Sequence, residues 1–405
     1  MKWRKNLWTL ALAVMLSGAS YTMLVPFLPL YLLDIGASPE NVNMWSGLVL
    51  SSSFLVSAFL APYWGRCADK SGRRRMLLRA GFSLAFVYFL GYLVRNPVEL
   101  LIVRLLQGVA SGFVPAAMAI VAASTPKEHM GFSLGIMQTT LLIGGIVGPL
   151  LGGSLSHIFG MRFSFVIAAA IIFGGTVIAG MLVKEPENNA TAVQEGGMLD
   201  DLKTAFANRQ LVQMLCLLFA VQTVAMLLQP LIALYISELQ GTMEGAALTA
   251  GIVYSLAGIA GAIAAPLWGR IGQRRGFAQV LTIAFLGAGM FSFSQYFSAD
   301  IYQFSVLQFL YGLFVVGVFP AINTIAVSCT DPNSRGRVFG LTTTANHLGS
   351  MTGPLIGGMV SFWIGIRPVF LITGGVLLAL GGLVFLNWHK RDDAGECPVA
   401  AEREK

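Results

Sequence analysis

The chain has 405 residues, of which 56% are hydrophobic and only 11% are charged. Soluble domains carry roughly 25% charged residues, so a soluble protein of this length would lack the polar side chains to cover its cores. The formal net charge is +7, but the basic residues lie in short connections between apolar segments and form no basic stripe. This distribution excludes a nucleic-acid-binding protein and favours a membrane protein.

Apolar segments long enough to cross a bilayer recur along the chain, since a membrane helix needs about 20 apolar residues. Backbone groups in lipid must be hydrogen-bonded within their own segment, so we predict that these segments are helices and that the protein is all-α. We number them as spans 1 to 12. They cover residues 7–33, 44–66, 76–94, 98–122, 131–156, 162–183, 211–236, 246–269, 277–297, 302–328, 337–360 and 367–388.

Positive charge is unevenly distributed over the connections between the spans. All but four of the 26 lysines and arginines fall at the two termini or in alternate connections, on one side of the membrane. Arg95, Arg162 and Arg367 lie on the other side, and Arg104 lies within span 4. Because connections rich in Lys and Arg stay in the cytoplasm, both termini are predicted to be cytoplasmic, and the number of spans must be even.

The two parts of the chain resemble each other. The pattern Ala-Pro-x-Trp-Gly-Arg begins at Ala61 and again at Ala265, and residues 131–162 are similar to residues 336–367. Several matches in the same order, at offsets of 204 and 205 residues, indicate an internal duplication. We therefore predict two pseudo-symmetric six-helix bundles with cargo bound between them. The predicted parts are a bundle over 1–183, a cytoplasmic linker over 184–209, a bundle over 210–390 and a cytoplasmic tail over 391–405.

The connection between spans 2 and 3 contains the pattern Gly-x-x-x-Asp-x-x-Gly-Arg-Arg. In this pattern the chain resembles the major facilitator superfamily. The resemblance implies the major facilitator fold and a gating role for the connection, with its aspartate contacting the start of span 11. The residues concerned are Gly65, Asp69, Gly72, Arg73 and Arg74. The alternative is a basic turn that only sets the topology. Gln273 replaces the aspartate in the second half.

Spans 5 and 11 share a spacing of glycines and a proline. Glycines one turn apart keep a helix face flat for close packing, and an internal proline bends the helix. In span 5 the spacing resembles the antiporter signature of the family's twelve-span drug–proton antiporters, which implies a hinge where the halves meet. The residues are Gly135, Gly144, Gly148, Pro149 and Gly152 in span 5, and Gly349, Gly353 and Pro354 in span 11. Ordinary close packing of membrane helices is the alternative.

Arg104 is the only Lys, Arg, Asp or Glu deep within a predicted span. Insertion scales put the cost of such a charge at roughly 2.5–3.5 kcal/mol, so a function is expected. The family resemblance implies a role in proton coupling, whereas an arginine that extends to the outer face is the alternative. We expect an ion pair between Arg104 and Asp34 that protonation of Asp34 breaks. Glu238 and His347 are further candidates for proton coupling. The alternatives are that Asp34 and Glu238 are solvated acids in extracellular loops and that His347 is a hydrogen-bonded histidine that does not titrate.

The resemblance also implies that spans 1, 4, 7 and 10 line the substrate cavity. These spans offer mostly apolar and flexible side chains, with few hydrogen-bonding groups. The candidates are Met23, Phe27, Gln107, Met226, Gln229, Tyr235 and Asn323. Because methionine-rich surfaces can repack around varied ligands, we expect amphipathic or hydrophobic drug-like cargo. Core packing or contact with lipid is the alternative for each residue.

Together these features predict a monomeric secondary transporter of the bacterial inner membrane that exports such compounds in exchange for protons. Metabolite uptake or lipid translocation by the same fold is the first alternative. A non-transporting receptor or an enzyme is the second. The sequence has no HExxH, P-loop, GxSxG or paired acids within the spans, so no enzymatic activity and no cofactor are predicted. Its four cysteines show no metal-ligand spacing, so no metal site is predicted.

Overall fold

The computed structural model describes residues 2–184, 209–328 and 335–392. Within these ranges the chain is helical apart from short connections and contains no β-strand, which confirms the all-α prediction. The predicted linker over 184–209 and the predicted tail over 391–405 lie almost wholly outside the described residues.

The helices before the linker are numbered α1 to α8 and those after it α9 to α16. Their bounds are α1 (Lys2–Leu24), α2 (Leu28–Asp34), α3 (Val42–Ser71), α4 (Arg73–Leu93), α5 (Pro97–Val109), α6 (Phe113–Ser124), α7 (Met130–Phe159), α8 (Met161–Leu182), α9 (Arg209–Leu227), α10 (Ile232–Gln240), α11 (Ala246–Arg275), α12 (Phe277–Gln295), α13 (Ile301–Val315), α14 (Val318–Ser328), α15 (Arg335–Ile364) and α16 (Arg367–Asp392). A 3₁₀ turn over Lys127–His129 precedes α7.

Eleven helical stretches in the described ranges are long and apolar enough to cross a membrane, and they correspond to spans 1–10 and span 12. Span 11 corresponds to α15, a continuous helix of 30 residues. Its first half carries Thr342, Thr343, Thr344, Asn346 and His347, which lower its apolar character. With α15 included, the helices account for the twelve membrane-spanning segments expected from the sequence.

Four spans are each broken into two helices, at related positions in the two halves of the sequence. The breaks lie at residues 25–27, 110–112, 228–231 and 316–317. Pro26 and Pro230 fall within the first and third breaks, where a proline removes a backbone donor. Broken backbone in a membrane is tolerated where protein or a water-filled cavity surrounds it. Spans 1, 4, 7 and 10 are therefore the spans whose helices are interrupted. They are also the spans expected to line the substrate cavity.

The connection between spans 2 and 3 is shorter than the sequence suggests. α3 continues to Ser71, and only Gly72 separates it from α4. The chain turns at Gly72 with φ of +97°, and Gly276 takes the same role between α11 and α12 with φ of +94°, a region that favours glycine. The predicted loop position of Asp69 is therefore wrong. It lies in the last turn of α3, because the residues before Gly72 continue the helix.

The described residues group into two compact units. Unit 1 lies within Met1–Val193, Gln229–Ser255 and Ser350–Ile364. Unit 2 lies within Gln194–Leu228, Leu256–Gly349 and Gly365–Lys405. Unit 1 thus combines the helices before the linker with α10, the first part of α11 and the last part of α15. The division into bundles over 1–183 and 210–390 stays a prediction.

Unit 1 is organised around α1, which packs along α7 and α8, while α4 packs along α8. The start of α1 is fixed to the end of α8 by a pair of hydrogen bonds. Asn6 Nδ2 donates to the carbonyl of Lys184 at 2.9 Å, and the amide of Lys184 donates to Asn6 Oδ1 at 3.1 Å. Lys184, the first residue of the predicted linker, is therefore held by a long-range contact.

Unit 2 has an apolar core shared by α9, α12 and α14. Its fully buried members include Leu218, Phe285 and Ile322. α12 also packs tightly on α16, where a methyl group added at Gly374 would meet the carbonyl of Gly289. Small residues at this contact let two helix backbones approach, which is the usual source of close packing between membrane helices.

Candidate functional site

The arginines after Gly72 fasten the α3–α4 turn to neighbouring helices. Arg73 Nη1 donates to the carbonyl of Ala119 on α6 at 3.1 Å, and the Arg74 guanidinium donates to the carbonyl of Gly180 on α8. The Asp69 side chain lies outside the described part of the structure. The two arginines therefore hold the turn in place, and the gating role of the predicted residues stays a prediction.

Most of the predicted hinge glycines of α7 form one flat face against α1. A methyl group at Gly144, Gly148 or Gly152 would collide with the backbone of α1, and at Gly152 the colliding atom is the Met23 carbonyl oxygen. Gly135 differs, because only open space surrounds its Cα. The α1–α7 contact thus depends on three of the four predicted glycines.

Two further close contacts within unit 1 are related by the internal repeat. Gly251 of α11 packs on the Pro149 carbonyl of α7, and Gly47 of α3 packs on the Pro354 carbonyl of α15. We call these two contacts the seam. Both lie towards the helix ends that are away from the basic connections. Gly47 and Gly251 were not predicted from the sequence, although they differ by the repeat offset of 204 residues.

A hydrogen bond reinforces the α7–α11 half of the seam. Ser255 Oγ donates to the carbonyl of Ile146 at 2.7 Å, close to the internal proline of α7. Gly353 of α15 is buried beside the other half of the seam. Gly349 packs instead in unit 2, against Phe219 and Gln222 of α9. The predicted hinge residues of α15 are therefore divided between two contacts.

Arg104 is enclosed by protein, with only 1% of its surface exposed. Its Nη1 donates to Gln107 Oε1 at 2.8 Å, and Gln107 Nε2 donates to the Tyr88 hydroxyl at 3.5 Å. Tyr21 and Tyr88 are the ionisable side chains close enough to Arg104 for an electrostatic interaction. We call these four residues the Arg104 cluster. The side chain does not extend to the outer face, so that alternative is excluded.

The Arg104 cluster leaves part of its polar surface unmatched. Within the described part of the chain, Arg104 Nε, Arg104 Nη2 and the Tyr21 hydroxyl are buried without a hydrogen-bond partner. Burying a cation in this way costs several kcal/mol unless a partner compensates it. Tyr21 and Tyr88 were missed by the sequence analysis, because a neutral tyrosine in an apolar span carries no signal of its own.

The corresponding site in the second half is neutral. Gln308 stands at the position related to Arg104, and its Oε1 accepts a hydrogen bond from Gln295 Nε2 at 2.7 Å. Both side chains are buried. The two halves therefore place polar groups at related positions, but only the first half places a charge there.

Asp34 lies away from the Arg104 cluster. It is exposed and lines a groove of about 380 Å³ within unit 1. The other lining residues are Leu30, Leu33, Ser156, His157, Met161, Met243, Gly245 and Ala247. The expected Asp34–Arg104 ion pair is not formed in this structure, because in the described residues the Arg104 head binds Gln107 instead. His157 is a second titratable group in this groove that the sequence did not point to.

The remaining coupling candidates lie in different parts of the molecule. Glu238 is exposed on α10 in unit 1, whereas His347 is half-buried on α15 in unit 2. A coupling role for each of them stays a prediction.

Asp34→Asn is expected to flatten the pH dependence of transport, because the variant cannot exchange a proton at this position. The measurement is dye efflux from cells at a series of external pH values. Glu40→Gln is the matched control, since Glu40 is an exposed acid in the connection that follows α2. An unchanged pH profile in Asp34→Asn would exclude Asp34 from coupling.

The predicted cavity residues differ in their surroundings. Met23, Phe27 and Tyr235 are fully buried, and the Phe27 ring packs edge-on against Phe165 at 6.1 Å between centroids. Gln107 belongs to the Arg104 cluster. Met226 and Gln229 are half-buried, and the Asn323 side chain lies outside the described residues. The fully buried members are enclosed by protein in this state, so a cargo-lining role for them stays a prediction.

Comparison with known proteins identifies relatives over nearly the whole chain. The sequence profile of the Major Facilitator Superfamily matches residues 10–294 and 214–403. "Multidrug resistance protein MdtG" of Proteus mirabilis is 34% identical over 383 residues, which cover 93% of this chain and 94% of the relative. MdtG of Klebsiella pneumoniae is also 34% identical over 383 residues, with 93% and 92% covered.

Solved structures with the same fold are more distant in sequence. The nucleoside transporter NupG superposes with a TM-score of 0.77 at 16% identity, covering 94% of this chain and 98% of that one. A bacterial homolog of the human lysosomal transporter Spinster, solved inward-facing and unoccupied, gives a TM-score of 0.79 at 17% identity, covering 95% and 96%. At this identity the likeness shows the fold alone.

Proposed function

Because the chain belongs to the Major Facilitator Superfamily, we propose that it exports amphipathic or hydrophobic drug-like compounds in exchange for protons. The relatives named multidrug resistance protein MdtG support this class of cargo, since the similarity extends over 93% of this chain. We place the protein in the bacterial inner membrane as a monomer with both termini in the cytoplasm, as the distribution of Lys and Arg predicts.

The seam is the observation that carries the transport mechanism. Gly47 and Gly251 bring helix backbones into contact at the ends away from the basic connections. Contacts between small residues consist mainly of packing, with few polar bonds to break. Such a contact can close in one state and separate in another as packed elements move. We infer that alternating access opens and closes the seam, with α7 moving along α1 on its glycine face.

The Arg104 cluster supports a site for proton coupling. A buried cation without a carboxylate partner in the described residues is costly, so a state that supplies a carboxylate would be stabilised. Protonation of that carboxylate would remove the attraction and return the protein to the present state. Asp34 is the candidate carboxylate from the sequence. This cycle links proton binding to a change of state, which is the requirement for antiport.

The composition of the predicted cargo surface supports hydrophobic cargo. Met23, Phe27 and Met226 supply apolar and adaptable surface, while Gln107 and Gln229 supply few hydrogen-bonding groups. A site for a sugar or another highly polar metabolite would need many more matched polar groups, because a buried polar group without a partner costs binding energy. This balance favours drug-like compounds over polar metabolites.

Inside-out membrane vesicles test the direction and the energy source together. Energised vesicles should accumulate a fluorescent amphipathic dye, and a protonophore should release it. Vesicles from cells that lack the protein serve as the control for passive dye partition. Accumulation confined to right-side-out vesicles would instead support uptake by the same fold. The absence of any gradient-driven movement would support a non-transporting receptor.

A further inference from the structure

The break in span 4 lies close to the Arg104 cluster along the chain. α5 ends at Val109, two residues after Gln107 and five residues after Arg104. At 1.5 Å per helical residue, Arg104 lies about 7.5 Å along the helix axis from this end. A change in how the end of α5 is held should therefore shift the side chains of the cluster.

Two backbone carbonyls at the break are bound by side chains of α3 and α4. The last carbonyls of a helix have no donor within the helix, and in a membrane they need another partner. Trp64 Nε1 donates to the carbonyl of Val109 at 3.1 Å. Arg79 Nη2 donates to the carbonyl of Ser111 at 2.7 Å, and Arg79 Nη1 donates to that of Val109 at 3.4 Å. Side chains from two other helices thus supply the donors that the break removes.

The same arginine also stacks on the tryptophan. The Arg79 guanidinium lies 3.5 Å from the centroid of the Trp64 ring. A planar guanidinium can stack on an aromatic ring and still donate hydrogen bonds within its own plane. A cation is also favoured at the C-terminus of a helix, where the macrodipole is negative. We call Trp64 and Arg79 the span 4 bracket, because together they join α3, α4 and the break in span 4.

Close packing on α3 supports the end of α5 as well. A methyl group added at Gly108 would collide with the Ser53 carbonyl and the Val56 side chain. Ser57 Oγ donates to the carbonyl of Gly108 at 3.4 Å. The end of α5 therefore lies directly against α3, so the bracket acts on a backbone that already has a defined position.

The second half of the sequence keeps the tryptophan contact. Trp268 Nε1 donates to the carbonyl of Leu313 at 2.7 Å. Both residues are related to Trp64 and Val109 by the repeat offset of 204 residues. The tryptophan bond is thus common to both halves of the sequence.

The arginine of the bracket is found only in the first half. Ile283 stands at the position related to Arg79 by the same offset, and Gln308 stands at the position related to Arg104. The half with the buried charge in span 4 is therefore the half in which an arginine holds the break. Where the related position is neutral, the tryptophan bond stands without it.

We propose that Arg79 is a positioning residue for proton coupling, which holds the end of α5 so that Arg104 keeps its place in the cluster. This inference rests on the proposed function, in which Arg104 meets a carboxylate in another state. Charge-assisted hydrogen bonds form at about 2.7–2.9 Å, so a small displacement of α5 would take the Arg104 guanidinium out of reach. The bracket fixes α5 from the cytoplasmic ends of α3 and α4, which the charge rule assigns.

Dye transport by Arg79→Ile in liposomes tests this proposal in the full-length protein. Isoleucine is the residue that the second half carries at the related position. Gradient-driven transport should fall about tenfold to 100-fold, the scale on which a group that orients a functional residue acts. Movement of the dye down its own gradient, without a pH gradient, should continue, and dye binding to the purified variant should be unchanged.

Two further variants separate geometry from charge. Arg79→Lys keeps the positive charge but not the planar, paired donors, so it should retain only part of the gradient-driven transport. Arg75→Ile is the matched control, because Arg75 is exposed one helical turn earlier on α4, and it should transport like the wild type.

Hydrogen exchange of the purified protein tests the bracket without reference to transport. Peptides covering residues 105–113 should exchange about tenfold faster in Arg79→Ile, because a hydrogen bond from a charged donor changes a local opening equilibrium by about that factor. Arg75→Ile should exchange like the wild type. Trp64→Phe keeps a ring but removes one donor to Val109, so it should give a smaller increase. If Arg79→Ile does not reach the membrane, Arg79→Lys and Trp64→Phe provide the same comparison.

Three results would overturn the proposal. Unchanged exchange in Arg79→Ile would show that the bracket does not hold α5. Equal loss of downhill and gradient-driven transport would assign Arg79 a general structural role. Full gradient-driven transport in Arg79→Ile would separate the bracket from coupling. A wild-type protein without gradient-driven transport would contradict the proposed function and with it the coupling role, whereas the exchange measurement would still decide whether the bracket holds α5.

Discussion

Gly152→Val should reduce drug export about tenfold or more, whereas Gly145→Val should leave most of it. A side chain at position 152 would collide with the Met23 carbonyl, and a backbone atom cannot move aside as a flexible side chain can. Overpacking typically costs about 1–3 kcal/mol, so transport should fall about tenfold or more if the α1–α7 contact must form in each cycle. The measurement is dye efflux from energised cells, corrected for the amount of protein in the membrane.

Gly145→Val is a matched control because Gly145 lies on the same helix with open space around its Cα. Both variants introduce the same β-branched residue into α7, so the loss of helix propensity is the same. Equal loss of export in the two variants would show that valine harms α7 as a helix. Normal export in Gly152→Val would contradict the role of the α1–α7 face.

Arg104→Gln should uncouple transport from the proton gradient without destabilising the protein. Glutamine is the residue that the second half carries at the related position, Gln308, so it fits this environment. Gradient-driven export should fall on the order of 100-fold, the scale expected when a group needed for proton transfer is lost. The midpoint of thermal unfolding should stay the same or rise, because the variant removes a buried, incompletely bonded charge.

Two comparisons separate coupling from general damage in Arg104→Gln. Arg95→Gln removes an arginine that lies outside the spans, and it should keep both export and its dependence on the gradient. Dye binding to purified Arg104→Gln should persist, because the variant changes none of the residues predicted to line the cargo cavity. A large fall in the unfolding temperature would instead assign Arg104 a structural role. Full gradient-driven export would remove it from the coupling pathway.

Most of the fold could be predicted because membrane helices have a strong length signal. An apolar stretch of about 20 residues is rare outside a membrane, so the spans were located without tertiary information. The helix ends were less certain. α3 continues to Ser71 through charged residues. Hydropathy indicates only the apolar part of a membrane helix, so it does not reveal where the polar end of the helix stops. The breaks within spans 1, 4, 7 and 10 were also missed, since a break does not change the apolar composition.

The candidate site could be predicted only in part. Arg104 was found because a charge in an apolar span is costly, and the α7 glycines were found by their spacing. Tyr21 and Tyr88 could not be found, because their proximity to Arg104 depends on the tertiary arrangement of α1, α4 and α5. The Asp34–Arg104 pair is not formed in this structure, and its formation in another state stays a prediction. Both residues are conspicuous in the sequence, but the distance between them is a tertiary property.

The two halves of the sequence differ most in which buried polar positions carry a charged side chain. The seam repeats faithfully, with Gly47 and Gly251 in related contacts. The Arg104 cluster has a neutral counterpart around Gln308. We infer that symmetry serves the opening and closing of the transporter. The charge that only the first half carries, at Arg104, supports the proposal that proton coupling depends on that half.

Simultaneous measurement of cargo and proton movement in liposomes tests the central claim most directly. The purified protein is reconstituted with a fluorescent drug outside and a pH-sensitive dye inside, and a pH gradient, acidic inside, is imposed as the only energy source. The account predicts that the drug enters against its own gradient while protons leave, and that Arg104→Gln abolishes both movements. Drug and protons moving in the same direction, or drug accumulation without proton movement, would contradict proton-coupled export.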